Sequence, residues 1–183
     1  MRYRALGRTG LEVSALGLGT MMFGGRTDAA TAKRIIDHAY DQGVNLVDTA
    51  DAYHGGQAEE IVGEALTARR SHWVLATKAG NAMGRDRNHR GLSKRWLVQA
   101  CEASLKRLKT DRIDIFYLHR EDPRTPLAET VEGLAELSRA GKILYIGVSN
   151  FRAWRIAELC RLCDDAGIGR PAVCQPYYNA LNR

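Results

Sequence analysis

Short apolar, β-branched runs alternate with amphipathic helical stretches along the whole chain, and this order constrains the fold more than any other feature. The runs are Ser14 to Gly19, Val44 to Ala50, Trp73 to Ala79, Ile113 to His119, Ile143 to Ser149 and Ala172 to Tyr178. They recur about every 30 to 40 residues, the length of successive βαβ units. Between them the apolar spacing predicts helices over Asp28 to Gln42, Gln57 to Arg69, Lys94 to Leu108, Leu127 to Ala140 and Arg152 to Ala166. Thr27 or Asp28 and Ser93 stand where N-caps belong, and Gly43, Gly141 and Gly167 where a left-handed C-terminal residue is wanted. Runs such as Ile113-Asp114-Ile115-Phe116-Tyr117-Leu118 are almost continuously apolar, as expected of strands covered on both faces of a parallel sheet. Before the first unit, residues 1–13 read as a β-hairpin with turn chemistry at Arg8-Thr9-Gly10. The expectation is one α/β domain over residues 1–183.

Composition removes several function classes. With 45% hydrophobic and 26% charged residues the chain can build a real core. No apolar run reaches the roughly 20 residues of a membrane span, and Met1-Arg2-Tyr3-Arg4 does not begin a signal peptide, so a cytoplasmic protein is expected. The net charge of +6 is spread along the chain among acidic residues, without the interleaved aromatics of a single-strand binder. Nucleic acid and membrane are therefore not the expected partners; a phosphate-bearing small molecule is. Cys160 and Cys163 form a C-x-x-C inside a helical pattern with no second pair at metal-ligand spacing, which reads as a helix face carrying reduced thiols, with no metal.

A dinucleotide fold of the doubly wound kind needs a glycine fingerprint after its first strand, but Gly17-Leu18-Gly19-Thr20-Met21-Met22 puts methionine where the third glycine belongs. More informative are polar residues at the C-terminal ends of apolar runs: Asp48, Lys78 and His119. On a period of two each points the same way as its apolar neighbour two residues back, toward a barrel interior. Each alone has a structural explanation: a helix-approach cap, a snorkelling lysine, a satisfied core imidazole. Three on consecutive strand ends are harder to dismiss, because a buried unpaired charge costs several kcal/mol and only mutual pairing makes the set tolerable. Tyr53 follows Asp48 in the turn before the second helix. A phenol donates its proton poorly at neutral pH unless a cation stabilises the phenolate, and Lys78 can be that cation, with Asp48 holding it charged and His119 positioning a carbonyl.

Five blocks in order closely resemble the signatures of the aldo-keto reductases: Asn45 to Tyr53, Thr77-Lys78, Tyr117-Leu118-His119, Gly141-Lys142-Ile143, and Ile146 to Phe151. The resemblance covers the chain from the opening hairpin to Asn182. It implies a (β/α)8 TIM barrel, here through about the sixth strand, and reduction of an aldehyde or ketone by hydride from NADPH. It implies that Asp48, Tyr53, Lys78 and His119 are the catalytic tetrad, with Tyr53 giving the proton. Ser149, Asn150 and Gln175 match positions that hold the nicotinamide carboxamide, and Gly19, Thr20 and Met21, with Asp48, match residues lining the cofactor cleft. Because a complete barrel needs about 250 residues, the 183 residues are expected to belong to a longer polypeptide or to a truncated, inactive one. The same resemblance admits a second class, a regulatory subunit that keeps the fold and binds cofactor as a redox sensor, as channel-associated members do.

Overall fold

In the computed structural model, which describes residues 1–182, the chain opens with two short antiparallel strands, β1 (Tyr3–Ala5) and β2 (Glu12–Ser14). Strand and helix then alternate: β3 (Gly17–Gly19), α1 (Ala29–Asp41), β4 (Leu46–Asp48), α2 (Gln57–Leu66), β5 (Val74–Ala79), α3 (Lys94–Arg107), β6 (Ile113–Leu118), α4 (Leu127–Arg139), β7 (Ile143–Ser149), α5 (Ala153–Asp165) and β8 (Val173–Gln175). The six strands from β3 to β8 pair in chain order and all in parallel, each after the first reached by a helical crossover. This is an arc of a (β/α)8 barrel.

Local chemistry sets the element ends. Asp28 accepts from the Thr31 N–H at 2.8 Å and Ser93 from the Trp96 N–H at 3.3 Å, capping α1 and α3. Gly43, Gly141 and Gly167 take positive φ beyond their helices. Several boundaries differ from the sequence expectation: β4 and β8 are three-residue strands, shorter than the runs Val44 to Ala50 and Ala172 to Tyr178, and two further differences have a local cause. Ser14 belongs to the hairpin, and the first barrel strand begins only at Gly17, because the Ser14 hydroxyl turns back to the Leu16 carbonyl at 2.7 Å and bends the chain. The second helix tightens into a 3₁₀ segment over Thr67–His72, where the Thr67 hydroxyl takes the Gly63 carbonyl at 2.8 Å.

The sheet separates two apolar layers. Leu75, Phe116 and Leu118 face outward and pack with Ile36, Val62, Leu97 and Leu134 of the surrounding helices. The alternate residues, Val74, Ala76, Ile115 and Tyr117, face inward and pack with Leu6 and Val13 of the hairpin. The hairpin lies across the N-terminal ends of the strands: Asn45, just before β4, accepts from the Ser14 N–H at 2.7 Å and donates to the Glu12 carbonyl at 3.0 Å. Gly7 meets Ala172, just before β8, so closely that a Cβ would stand 2.4 Å from its carbonyl oxygen; with φ of +58° this turn requires glycine. One end of the barrel interior is thus sealed by apolar side chains, and the polar residues of the inner face collect at the other.

Candidate active site

The inward register that carries Val74 and Ala76 next carries Lys78, and the register of Ile115 and Tyr117 next carries His119. Asp48 ends β4 two residues after Leu46, which joins the same inner cluster. A lysine at a strand end ordinarily keeps its ammonium in water, yet no part of the Lys78 side chain reaches solvent. Its ammonium donates to the Asp48 carboxylate, to the Thr49 carbonyl at 2.8 Å and to the Tyr53 hydroxyl at 3.3 Å. One carboxylate, one carbonyl and one phenol therefore saturate its three protons, which makes burial of the charge tolerable. The rings of Tyr53 and Tyr117 flank the ammonium at 5.1 and 5.6 Å.

Tyr53 opens the tight turn Tyr53–Gly56, in which His54, Gly55 and Gly56 all have positive φ, and this reversal brings the phenol back over Lys78. The His119 ring stands edge-on to the Tyr53 ring, centroids 5.9 Å apart. Burial, then the Lys78 and Arg120 charges, push the His119 imidazole down to about 4, so the ring is neutral above mildly acidic pH. Its Nδ1 lies 3.1 Å from the Asn81 side-chain amide nitrogen. With that amide donating, the neutral ring carries its proton on Nε2 and offers a donor there. Asn81 went unrecognised at the sequence level because it sits in a loop without periodicity; its one signal was its place directly after a strand end.

The residues matched to cofactor positions sit on the same rim. Thr20, fully buried, fixes the end of β4 with its N–H and hydroxyl, each 3.0 Å from the Asp48 carbonyl, and Gly19 pairs with Asp48 across the sheet. Met21 is exposed and makes no hydrogen bond to the others. Ser149 donates to the Gln175 carbonyl at 2.9 Å, and the Gln175 amide reaches the second Asp48 oxygen at 3.3 Å. Asn150 adopts a left-handed backbone (φ 56°), uncommon outside glycine, and spans to the His119 carbonyl at 3.1 Å and the Ser149 hydroxyl at 3.0 Å. A buried cation, a phenol it touches and a neutral imidazole donor can together receive a carbonyl oxygen and protonate it as negative charge develops there.

Behind the site lies a group the sequence did not single out. Asp51 is only 1% exposed, and among the described residues neither carboxylate oxygen has a well-formed hydrogen-bond partner. Its neighbour Glu59 accepts from the Thr77 hydroxyl at 2.5 Å and from Arg107 at 2.7 Å. Burial first, then the Glu59 charge, push the Asp51 carboxyl up to about 7. In the unfolded chain the same acid has released its proton above about 4, so the folded state gives up stability as pH rises from about 4 to about 7. Asp51→Asn removes this dependence. Its unfolding free energy relative to the native sequence, from urea titrations, is expected to grow by about 2 to 3 kcal/mol between pH 5 and pH 8; a constant difference would mean that Asp51 is ionised throughout.

A family model described as "Aldo/keto reductase family" matches residues 15–183. Over 187 aligned positions the chain is 40% identical to a "Probable voltage-gated potassium channel subunit beta" of Arabidopsis thaliana, covering 100% of this chain and 57% of that protein. A protein of the same description from Oryza sativa subsp. japonica is 38% identical over 187 positions, with 100% and 57% covered. Aldo-keto reductase YhdN of Bacillus subtilis (strain 168) is 45% identical over 157 positions, with 82% of this chain and 47% of that protein covered. The chain spans about half the length of these curated relatives.

Proposed function

The chain belongs to the aldo/keto reductase family, and from that premise we propose that the protein reduces an aldehyde or ketone to the alcohol with a nicotinamide dinucleotide, NADPH in preference to NADH. The observation that carries this reading is the Lys78 ammonium, fully buried and bonded at once to Asp48 and to the Tyr53 hydroxyl. A structural lysine has no need of a phenol at the mouth of a cavity; a proton donor does.

In this reading Tyr53 gives its proton to the carbonyl oxygen, and Lys78 stabilises the phenolate left behind. Asp48 pairs with Lys78 and aims it. His119, neutral and oriented by Asn81, holds the carbonyl oxygen by an Nε2–H hydrogen bond. Ser149, Asn150 and Gln175 present a hydroxyl and two amides at adjacent strand ends, a donor and acceptor set that suits a primary carboxamide. The open space over Gly19, where a Cβ would meet nothing within 4 Å, suits a planar ring beside them. When bound there, the dinucleotide supplies the hydride. The test is a panel of aldehydes and ketones with NADPH and with NADH, on the whole protein. Turnover that is faster with NADPH is expected; none with any carbonyl would contradict the reading.

Two of the relatives named above are described as channel subunits, and this favours a second reading, a regulatory subunit that uses bound cofactor as a redox signal. Tight retention of cofactor with very slow turnover of every carbonyl would support it over the first.

A further inference from the structure

We propose that the groove leading away from His119 is a subsite for an anion, so that the carbonyl substrate carries a carboxylate or phosphate; this deepens the reductase reading and rests on it. The groove, about 600 Å3, starts at His119 and Asn150 and passes Asn81 and Arg120. A second hollow of about 270 Å3 shares Asn81 and Arg120 with it and extends the surface to Arg90 and Arg124. The two form one continuous surface, lined by His119 at the catalytic side and by Arg90, Arg120 and Arg124 beyond it.

Acid groups along this surface are already satisfied. Glu121 is gripped by Arg152 through its backbone N–H at 2.5 Å, Nε at 2.9 Å and Nη2 at 2.6 Å. Asp122 accepts from the Leu92 N–H at 3.0 Å, the Arg124 N–H at 3.0 Å and the Thr125 hydroxyl at 2.7 Å. Among the described residues, Arg90 and Arg120 make no ion pair and their side chains no hydrogen bond, while facing the same hollow. Two arginines without an acidic partner, both lining one hollow, offer the planar forks by which carboxylates and phosphates are recognised.

Nor is the loop that carries Arg90 a loose surface segment. The Gly91 N–H reaches the Gly80 carbonyl at 2.9 Å and the Met83 N–H the His89 carbonyl at 2.8 Å, which closes the loop on itself. His89 stacks on Trp96 with centroids 4.9 Å apart. Gly91, at φ +79°, lets Asp122 approach to where a Cβ would stand 2.3 Å from its Oδ2, pinning the base of the loop against the segment after β6. The backbone that carries Arg90 is thereby fixed against the segment that carries Arg120 and Asp122. Arg120 is also close enough to His119 to help keep the imidazole neutral.

The test uses the whole protein with NADPH and two matched pairs of aldehydes: 4-carboxybenzaldehyde against its methyl ester, and glyceraldehyde 3-phosphate against glyceraldehyde. An anionic member preferred by about tenfold or more in kcat/KM, through KM, is expected; the pair that shows it identifies carboxylate or phosphate. The preference should shrink with added salt, and Arg120→Gln and Arg90→Gln should each bring the ratio toward one. Turnover with no charge preference, or variants that leave the ratio intact, would overturn the subsite alone. Weakened NADPH binding in the variants, read by cofactor quenching of tryptophan fluorescence, would also overturn it, by assigning the arginines to the cofactor phosphates. No turnover with any of the four aldehydes or with any member of the wider panel of aldehydes and ketones would overturn the reductase reading itself.

Discussion

Tyr53→Phe loses about 10²- to 10⁴-fold in the rate of carbonyl reduction by the whole protein, the usual contribution of a positioned general acid, and still binds cofactor. The hydroxyl is the only group removed. Its contact in the structure is the Lys78 ammonium at 3.3 Å, and Lys78 keeps Asp48 and the Thr49 carbonyl without it. The ring remains to pack beside His119, so little stability is at stake. Single-turnover oxidation of NADPH measures the chemical step, and quenching of tryptophan fluorescence measures cofactor binding in the same sample. Loss of the first with retention of the second is expected. Loss of both would make Tyr53 a structural residue.

Lys78→Met acts on stability. A side chain with no solvent exposure is replaced by an apolar one of similar length, and the Asp48 carboxylate, itself only 17% exposed, loses its cation. Among the described residues, the Gln175 amide at 3.3 Å is then its one remaining side-chain partner. Breaking a buried pair from one side costs about 3 to 5 kcal/mol, mostly for stranding the other charge. Adding Asp48→Asn removes that stranded charge, so the double variant is expected to be more stable than Lys78→Met alone, by urea unfolding of the four members of the cycle. Additive losses would mean that the two side chains do not depend on each other.

Much of this was legible in the sequence, and the reason is periodicity. Asp48, Lys78 and His119 each continue the inward register of an apolar strand, and a parallel barrel leaves such residues one place to go. The roles came from the ordered resemblance to the aldo-keto reductases, which periodicity alone does not supply. What escaped depends on packing between elements. Nothing in the sequence separates Asp51 from Asp48, yet one is held by an ammonium and the other is buried beside a second carboxylate, because α2 sets Glu59 behind β5. Asn81 and the consumption of Glu121 by Arg152 are contacts between loops, invisible until the strand ends are brought side by side. The early bend at Ser14 and the tightening at Thr67 each follow from a single hydroxyl claiming a backbone carbonyl.

The central claim is that the Tyr53 phenol, prepared by the buried Lys78 ammonium, is the group that protonates the carbonyl. Replacing Tyr53 by 3-fluorotyrosine keeps the ring, the hydroxyl and its contacts while making the phenol more acidic. The decisive measurement is the pH profile of kcat/KM for reduction: its alkaline limb should move to lower pH with the more acidic phenol, and a limb left unmoved would show that the proton comes from elsewhere.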